Sequence, residues 1–418
     1  MVKVNQEQER LISQEGMQPY ETRYRWVMLM LVSLLYASFG AVSRSISPLV
    51  TPILKDLNMS YSQMGIIMGA WQLTYIVVAA MGGAIMDRLG IRKTLLFGIL
   101  IIGLSEALRY LTNSFVALLL FVALFGVGGP MISIGCPKTI SEWFRGKERG
   151  AAVGVYMAGS ALGGLLPLAT INSIAMPLTG NNWRLTFFLY SLPAFAVALL
   201  WWFMAREVKA AGAKMSSNII KVFTDLIRVR NVQLILVMAP LSFAVTHGLT
   251  NWLPKILEVG GLPPAIAGFA ASIPVVVGIP SVLIIPRIVT PHLRGRAVAL
   301  ISLVTAISAF LIAISSGVPL VIWLVLYGLT STTSMSLLML ILMDIPEVGA
   351  KYMGSAGGMF FCVAEIGGFT GPSVVGAVKD MTGSFLAAAI LIAALSLAVA
   401  IMALLIKTKP AHEEKASA

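Results

Sequence analysis

Four ionisable side chains of this sequence stand inside long apolar stretches: Arg44, Glu106, His247 and Glu365. Arg44 falls eighteen residues after Trp26 in the first such stretch, too deep to snorkel back to a membrane interface. A charge there costs roughly 2.5–3.5 kcal/mol on insertion scales, so it is more often a working residue than a decorative one. Glu365 lies mid-stretch in Phe361-Cys-Val-Ala-Glu365-Ile-Gly-Gly. A carboxyl among apolar neighbours gains or loses a proton as its access to water changes, which makes Glu365 the leading proton-coupling candidate. The competing arrangement is a direct Arg44–Glu365 ion pair, two costly charges cancelling each other without a coupling role. His247, in Thr246-His247-Gly248-Leu-Thr-Asn251-Trp252, titrates near neutrality and serves as a part-time cation, with Asn251 donating to the oxygens of a bound anion. Its alternative is a histidine merely hydrogen-bonded in packing.

These side chains need elements that hold them in an apolar medium. The chain has 418 residues, 58% hydrophobic and only 11% charged, with a mean hydropathy of +0.88. Soluble domains carry about a quarter charged residues, so the chain reads as an all-α polytopic membrane protein. Twelve apolar stretches of spanning length centre on Leu35, Val77, Ile101, Phe125, Gly159, Ala194, Pro240, Val277, Ala306, Tyr327, Cys362 and Ala393. The polar run from Met1 to Arg25 precedes a segment too long for the apolar core of a cleavable signal. The net charge of +12 is explained by topology. Assigning alternate loops to one side places twenty-four Lys and Arg there and five on the other, with Arg44 between. The positive-inside rule then puts both termini in the cytoplasm, in a multi-pass inner-membrane arrangement, and nucleic acid is not an expected partner. Cys136 and Cys362 both fall in apolar segments, so neither a disulfide framework nor a metal site is expected. No P-loop, dinucleotide-binding glycine pattern or HExxH occurs, so no cofactor is expected. Nor does any nucleophile–base constellation, so the chain is not read as an enzyme.

The chain divides near its middle. A cytoplasmic tail (1–25) precedes a first six-helix bundle (26–206), a cytoplasmic linker (207–230), a second bundle (231–407) and a tail (408–418). Segment five returns in segment eleven at an offset of 204 residues: Gly150, Ala152, Gly154, Gly163 and Gly164 recur as Gly354, Ala356, Gly358, Gly367 and Gly368. Small residues at helical spacing let membrane helices pack closely. A weaker echo of Pro52-Ile53-Leu54 in Pro254-Lys255-Ile256-Leu257 sets Thr246 and His247 opposite Arg44 in the duplicated unit.

Between segments two and three stands Gly83-Ala-Ile-Met-Asp87-Arg88-Leu89-Gly90-Ile-Arg92-Lys93, an acid, a tight glycine turn and a basic cluster. This loop resembles the signature loop of the major facilitator superfamily, and the matching loop from Pro286 to Arg296 keeps the cations but lacks the acid. The resemblance implies the major facilitator fold, twelve transmembrane helices in two pseudo-symmetric six-helix bundles. It also implies a cytoplasmic gate of Asp87, Arg88, Gly90 and Arg92, whose ion pairs exist in one state only. The first half further resembles the anion:cation symporter branch, through Arg44, Ala70-Trp71-Gln-Leu-Thr-Tyr75, Ser141-Glu142-Trp143-Phe144 and Lys147-Glu148-Arg149; Asn251-Trp252-Leu253-Pro254 and Gly371-Pro372 continue it. The second half resembles cyanate-permease-type carriers equally well.

By that resemblance Arg44 faces a central cavity and binds the carboxylate of the substrate, and Tyr75 lines the same cavity, its phenol donating to an oxyanion; a packing role for Tyr75 stays open. The family's helix-four carboxylate is absent, since Phe125-Gly-Val-Gly-Gly129-Pro130 has glycine where the acid falls. Glu106 is the substitute proton-coupling candidate, against a local pair with Arg109 three residues on. The expected function is alternating-access secondary transport of a small organic monoanion by proton-coupled symport, with the proton or another cation as coupling ion and membrane lipid as surroundings. A duplicated chain carries both halves of its pathway, so a monomer suffices. The alternatives are an anion exchanger, an effluxer of lipophilic cations in which Glu365 or Glu106 is the counter-ion, and a transporter-like sensor.

Overall fold

A computed structural model describes residues 23–207 and 224–406. The described residues form helices and no strands. Twelve of them are long and apolar enough to span a membrane: α1 Tyr24–Leu57, α2 Tyr61–Met81, α3 Ile91–Leu111, α4 Phe115–Trp143, α5 Glu148–Leu178, α6 Trp183–Met204, α7 Arg230–Val259, α8 Pro264–Ile288, α9 Pro291–Ile312, α10 Gly317–Asp344, α11 Ser355–Thr382 and α12 Phe385–Leu404. They coincide with the twelve apolar stretches. The linker centre and both extreme tails lie outside the described residues.

α1 is not continuous. Its α-helical part ends at Arg44, a tighter turn follows over Ser47–Leu49, and helix resumes at Val50–Leu57. Pro48 has no backbone N–H to give to the helix ladder and its ring crowds the preceding turn, so the helix yields there. The break is braced from α3, where Arg109 Nη1 donates to Ser45 Oγ at 3.0 Å.

Close helix contact follows the small residues, as expected where lipid gives no hydrophobic drive for helices to associate. A methyl group at Gly163 on α5 would collide with the Ala37 carbonyl oxygen of α1, and one at Gly367 on α11 with the Pro240 carbonyl oxygen of α7. The two collisions are 204 and 203 residues apart, so the duplication seen in the glycines is a duplication of a backbone contact. Between the halves, Gly65 on α2 lies against the Pro372 carbonyl of α11, and Gly268 on α8 against the Leu168 carbonyl of α5.

The two ends of the bundle differ. At the end away from the basic loops, polar contacts join the halves. Asp380 of α11 caps the N-terminus of α2, accepting from Tyr61 N at 3.0 Å, Ser62 N at 2.7 Å and Ser62 Oγ at 2.5 Å. Lys255 Nζ of α7 donates to Thr51 Oγ1 of α1 at 2.7 Å and pairs with Glu258 at 3.1 Å. At the basic end the ion pairs Arg25–Glu148 at 2.9 Å and Arg294–Asp344 each lie within one half. Methyl groups at Gly154 and Gly358 there would meet nothing within 4 Å. The polar contacts described between the halves thus gather at the end away from the basic loops.

A carboxylate cap on a helix start is worth about 1 kcal/mol, a factor of about five in an equilibrium. Asp380→Ala is expected to loosen this closed end. Spin labels in the α1–α2 and α7–α8 turns would then show a longer distance population grown about fivefold. An unchanged distribution assigns the closure to the Thr51–Lys255–Glu258 group instead.

Candidate functional site

A cavity of about 360 Å³ lies between the halves, walled by α1, α2 and α5 on one side and α7, α8 and α10 on the other. Arg44, Trp71, His247, Asn251 and Tyr327 line it. Arg44 enters because α1 breaks immediately after it. Gly164 makes the room: a side chain there would begin 3.1 Å from Arg44 Cγ. Arg44 Nη1 is buried without a hydrogen-bond partner, and among the described residues no ion pair joins Arg44 to Glu365. A permanent cation with no counter-charge among the described residues thus lines a cavity, an arrangement that costs stability in the empty protein and is relieved by an anion.

The opposite wall comes from α7. His247 sits between the rings of Phe243 and Trp71, with centroids at 5.2 and 6.3 Å, and its Nδ1 is 3.4 Å from Gln72 Nε2. Asn251 follows one turn later on the same face. Tyr327 is fully buried and holds Thr250 Oγ1 at 3.3 Å. The α8 face, Pro274, Val275, Gly278, Ile279, Val282 and Leu283, is apolar throughout. The cavity therefore has a polar wall carrying one permanent charge and a facing wall without charge.

Other expected site residues lie elsewhere. Tyr75 is one turn beyond Trp71, outside the cavity lining, its hydroxyl 2.7 Å from Ser133 Oγ of α4. Glu365 is also outside the lining and only 7% exposed. Its Oε2 has no hydrogen-bond partner and faces Gln72 across Gly368, where a methyl group would lie 3.0 Å from both Glu365 Oε2 and Gln72 Cγ. Glu106 is fully buried and pairs with Arg109 at 2.5 Å. Arg109 in turn reaches the α1 break and lies 5.3 Å from the Phe187 ring centroid. That group positions the α1 break from behind.

At the basic end, Gly90 turns the chain between α2 and α3 with φ +79°, a conformation open to glycine. Arg92 Nη2 donates to the Trp202 carbonyl at 2.6 Å, and Trp201 Nε1 to the Arg92 carbonyl at 2.9 Å. These contacts tie α3 to α6 within one half. Arg88 is exposed, and the Asp87 side chain lies outside what the structure describes.

Sequence reasoning did not single out Gln72 or Tyr327 as site residues. Gln72 carries the signal that marks Arg44, a strongly polar side chain deep in an apolar helix, within the stretch Ala70-Trp71-Gln-Leu-Thr-Tyr75. Tyr327 carried none, because a tyrosine in a membrane helix is as often at an interface as in a site.

The family profile described as Major Facilitator Superfamily matches residues 32–372. A hexuronate transporter of Bacillus subtilis (strain 168) is 26% identical over 369 residues, 82% of this chain and 86% of the relative. A galacturonate transporter of Dickeya chrysanthemi is 28% identical over 189 residues, 44% of this chain and 53% of the relative. Among solved structures, a bacterial homologue of the human lysosomal transporter Spinster, inward-facing and unoccupied, superposes with a TM-score of 0.71 at 18% identity, covering 92% of this chain and 95% of that one.

Proposed function

Because the chain belongs to the major facilitator superfamily, a family of membrane transporters and not of enzymes, we propose that it moves a small organic monoanion of the carboxylate type by alternating access, in symport with a proton. The observation that carries this reading is Arg44, a cation deep in the bundle that lines the central cavity and, among the described residues, pairs with no carboxylate. A guanidinium presents two parallel N–H groups to a carboxylate. One permanent cation in the lining matches one carboxylate, the number a uronic acid carries, and the relatives named for hexuronate and galacturonate agree with that size and charge. His247 and Asn251 supply further polar groups from α7 on the facing wall. The basic end is the cytoplasmic one, and the protein acts as a monomer whose halves rock about the cavity.

Glu365 is the proton site in this reading, since it is buried, unpaired and set behind the cavity wall. Glu106 is committed to Arg109 and is not needed. An effluxer of lipophilic cations requires a carboxylate on the cavity surface, and neither Glu365 nor Glu106 is there.

The test is uptake into liposomes by purified protein, with a panel of monocarboxylates, sugar acids, phosphate esters and lipophilic cations. A proton gradient is expected to drive accumulation of a monocarboxylate. Glu365→Gln is expected to abolish gradient-driven accumulation and to leave anion counterflow intact. Uptake of cations that survives Arg44→Lys would overturn the reading, and saturable anion binding without any flux would replace it by a sensor.

A further inference from the structure

Gln72 is fully buried on α2 of the first half, yet two polar side chains beside it, His247 on α7 and Glu365 on α11, belong to the second. Its amide nitrogen is 3.4 Å from His247 Nδ1, its amide oxygen is buried without a partner, and so is Glu365 Oε2 across Gly368. Buried polar atoms left unmade each cost about as much as a hydrogen bond is worth. Two such atoms on side chains that meet at one glycine, Gln72 by its Cγ and amide nitrogen and Glu365 by its Oε2, point to a bond that forms in some states and not in others.

We propose that Gln72 is the coupling residue of this transporter: its amide relays the protonation of Glu365 to the anion cavity by setting which nitrogen of His247 carries the proton. The inference rests on the proton-coupled reading above.

A primary amide accepts at its oxygen and donates at its nitrogen, so it has two orientations between two partners. When Glu365 carries a proton, its O–H donates to the Gln72 oxygen, and the Gln72 nitrogen donates to an unprotonated His247 Nδ1. The neutral imidazole then bears its proton on Nε2, the nitrogen left for the cavity, and donates to the anion beside Arg44. When Glu365 is ionised, the amide turns, its N–H₂ donates to the carboxylate and its oxygen accepts from His247 Nδ1–H. The Nε2 lone pair is then what the anion meets, and the two repel. One proton leaves in this change, from Glu365 to water. The imidazole keeps one proton throughout, exchanged between its nitrogens through solvent. Anion and proton therefore favour each other, which is the requirement of symport.

The titratable groups around this path are Tyr75 on α2 and Cys362 on α11 beside Glu365, and Arg44 on α1 beside His247. Among the described residues none of them forms an ion pair with Glu365. Gln72 also lies outside the cavity lining, so replacing it changes the relay without removing a contact to the anion.

Gln72→Met keeps the length and removes both hydrogen-bonding atoms. In wild type, affinity for the transported monocarboxylate is expected to fall about tenfold as rising pH takes the proton from Glu365, one charge-assisted hydrogen bond's worth. In Gln72→Met the affinity is expected to be flat with pH, with counterflow kept and proton-driven accumulation lost, and Glu365→Gln added to it is expected to change nothing more. A Gln72→Met protein with the wild-type pH profile and accumulation, while Glu365→Gln loses both, overturns the inference and leaves the proton site standing. Wild-type transport indifferent to a proton gradient removes the proton site and the inference together. A second measurement covers a Gln72→Met that does not fold. Imidazole ¹⁵N shifts of His247, one of three histidines, are expected to pass from the Nε2–H to the Nδ1–H form with rising pH in wild type and to stay Nε2–H in Glu365→Gln. Shifts that move alike in both proteins overturn it.

Discussion

Replacing Arg44 by lysine is expected to weaken binding of a monocarboxylate by about ten- to a hundredfold, and replacing it by methionine to abolish binding, while neither change lowers the unfolding temperature of the empty protein. The two halves of this expectation have one cause. Among the described residues Arg44 Nη1 finds no hydrogen-bond partner and no carboxylate pairs with the side chain, so the charge is a net cost to the fold and a net gain only when an anion is present. A hydrogen bond to a charged group contributes about 1.5–3 kcal/mol, and lysine keeps the charge but loses the planar fork that makes two parallel contacts. Methionine fills much of the same volume without the burial penalty, so the empty protein holds its stability or gains some. Thermal unfolding with and without ligand separates the outcomes. A variant that unfolds earlier when empty makes Arg44 a structural partner. One that keeps its ligand-induced stabilisation shows that the anion sits elsewhere.

The neighbours of Arg44 show how far a sequence carries such a site. Hydropathy and loop charge mark the twelve spans because the bilayer imposes their length, and the glycines at an offset of 204 mark the duplication because backbone contact tolerates only small residues. The echo of Pro52 in Pro254 sets His247 opposite Arg44, and both line the same cavity. The rest depends on rotation. Successive residues of a helix point about 100° apart, so depth in the membrane can be read from order along the chain, whereas azimuth is set by which neighbouring helix packs where. Tyr75 has the right depth, yet it turns to Ser133 on α4. Glu365 is level with the site but lies behind Gln72 instead of beside Arg44. Glu106 takes the i,i+3 contact with Arg109 that its spacing allowed, and together they hold the α1 break through Ser45. That break has its own signal in Pro48, which a hydropathy window averages away.

The repeated glycines divide into two kinds that the sequence writes identically, and substituting them is expected to separate folding from transport. Gly163 and Gly367 occupy positions where a methyl group would strike the Ala37 and Pro240 carbonyls. Leucine at either forces α1 from α5, or α7 from α11, and overpacking of that severity costs about 3 kcal/mol or more because backbone cannot give way as a side-chain tip can. The expected result is loss of monodisperse protein on size-exclusion chromatography. Gly154 and Gly358 are their partners in the same repeat, yet a methyl group at either meets nothing within 4 Å. Leucine there is expected to leave yield and unfolding temperature unchanged and to stop counterflow, because alternating access in the proposed cycle must bring the basic ends of the halves together over these helices. Normal counterflow in Gly154→Leu and Gly358→Leu would mean that the basic end never closes upon these helices, and the rocking motion proposed for the two halves would have to be given up. Misfolding of both would mean that the open space around them is filled in the membrane. Their recurrence would then record packing alone, as it does at Gly163 and Gly367.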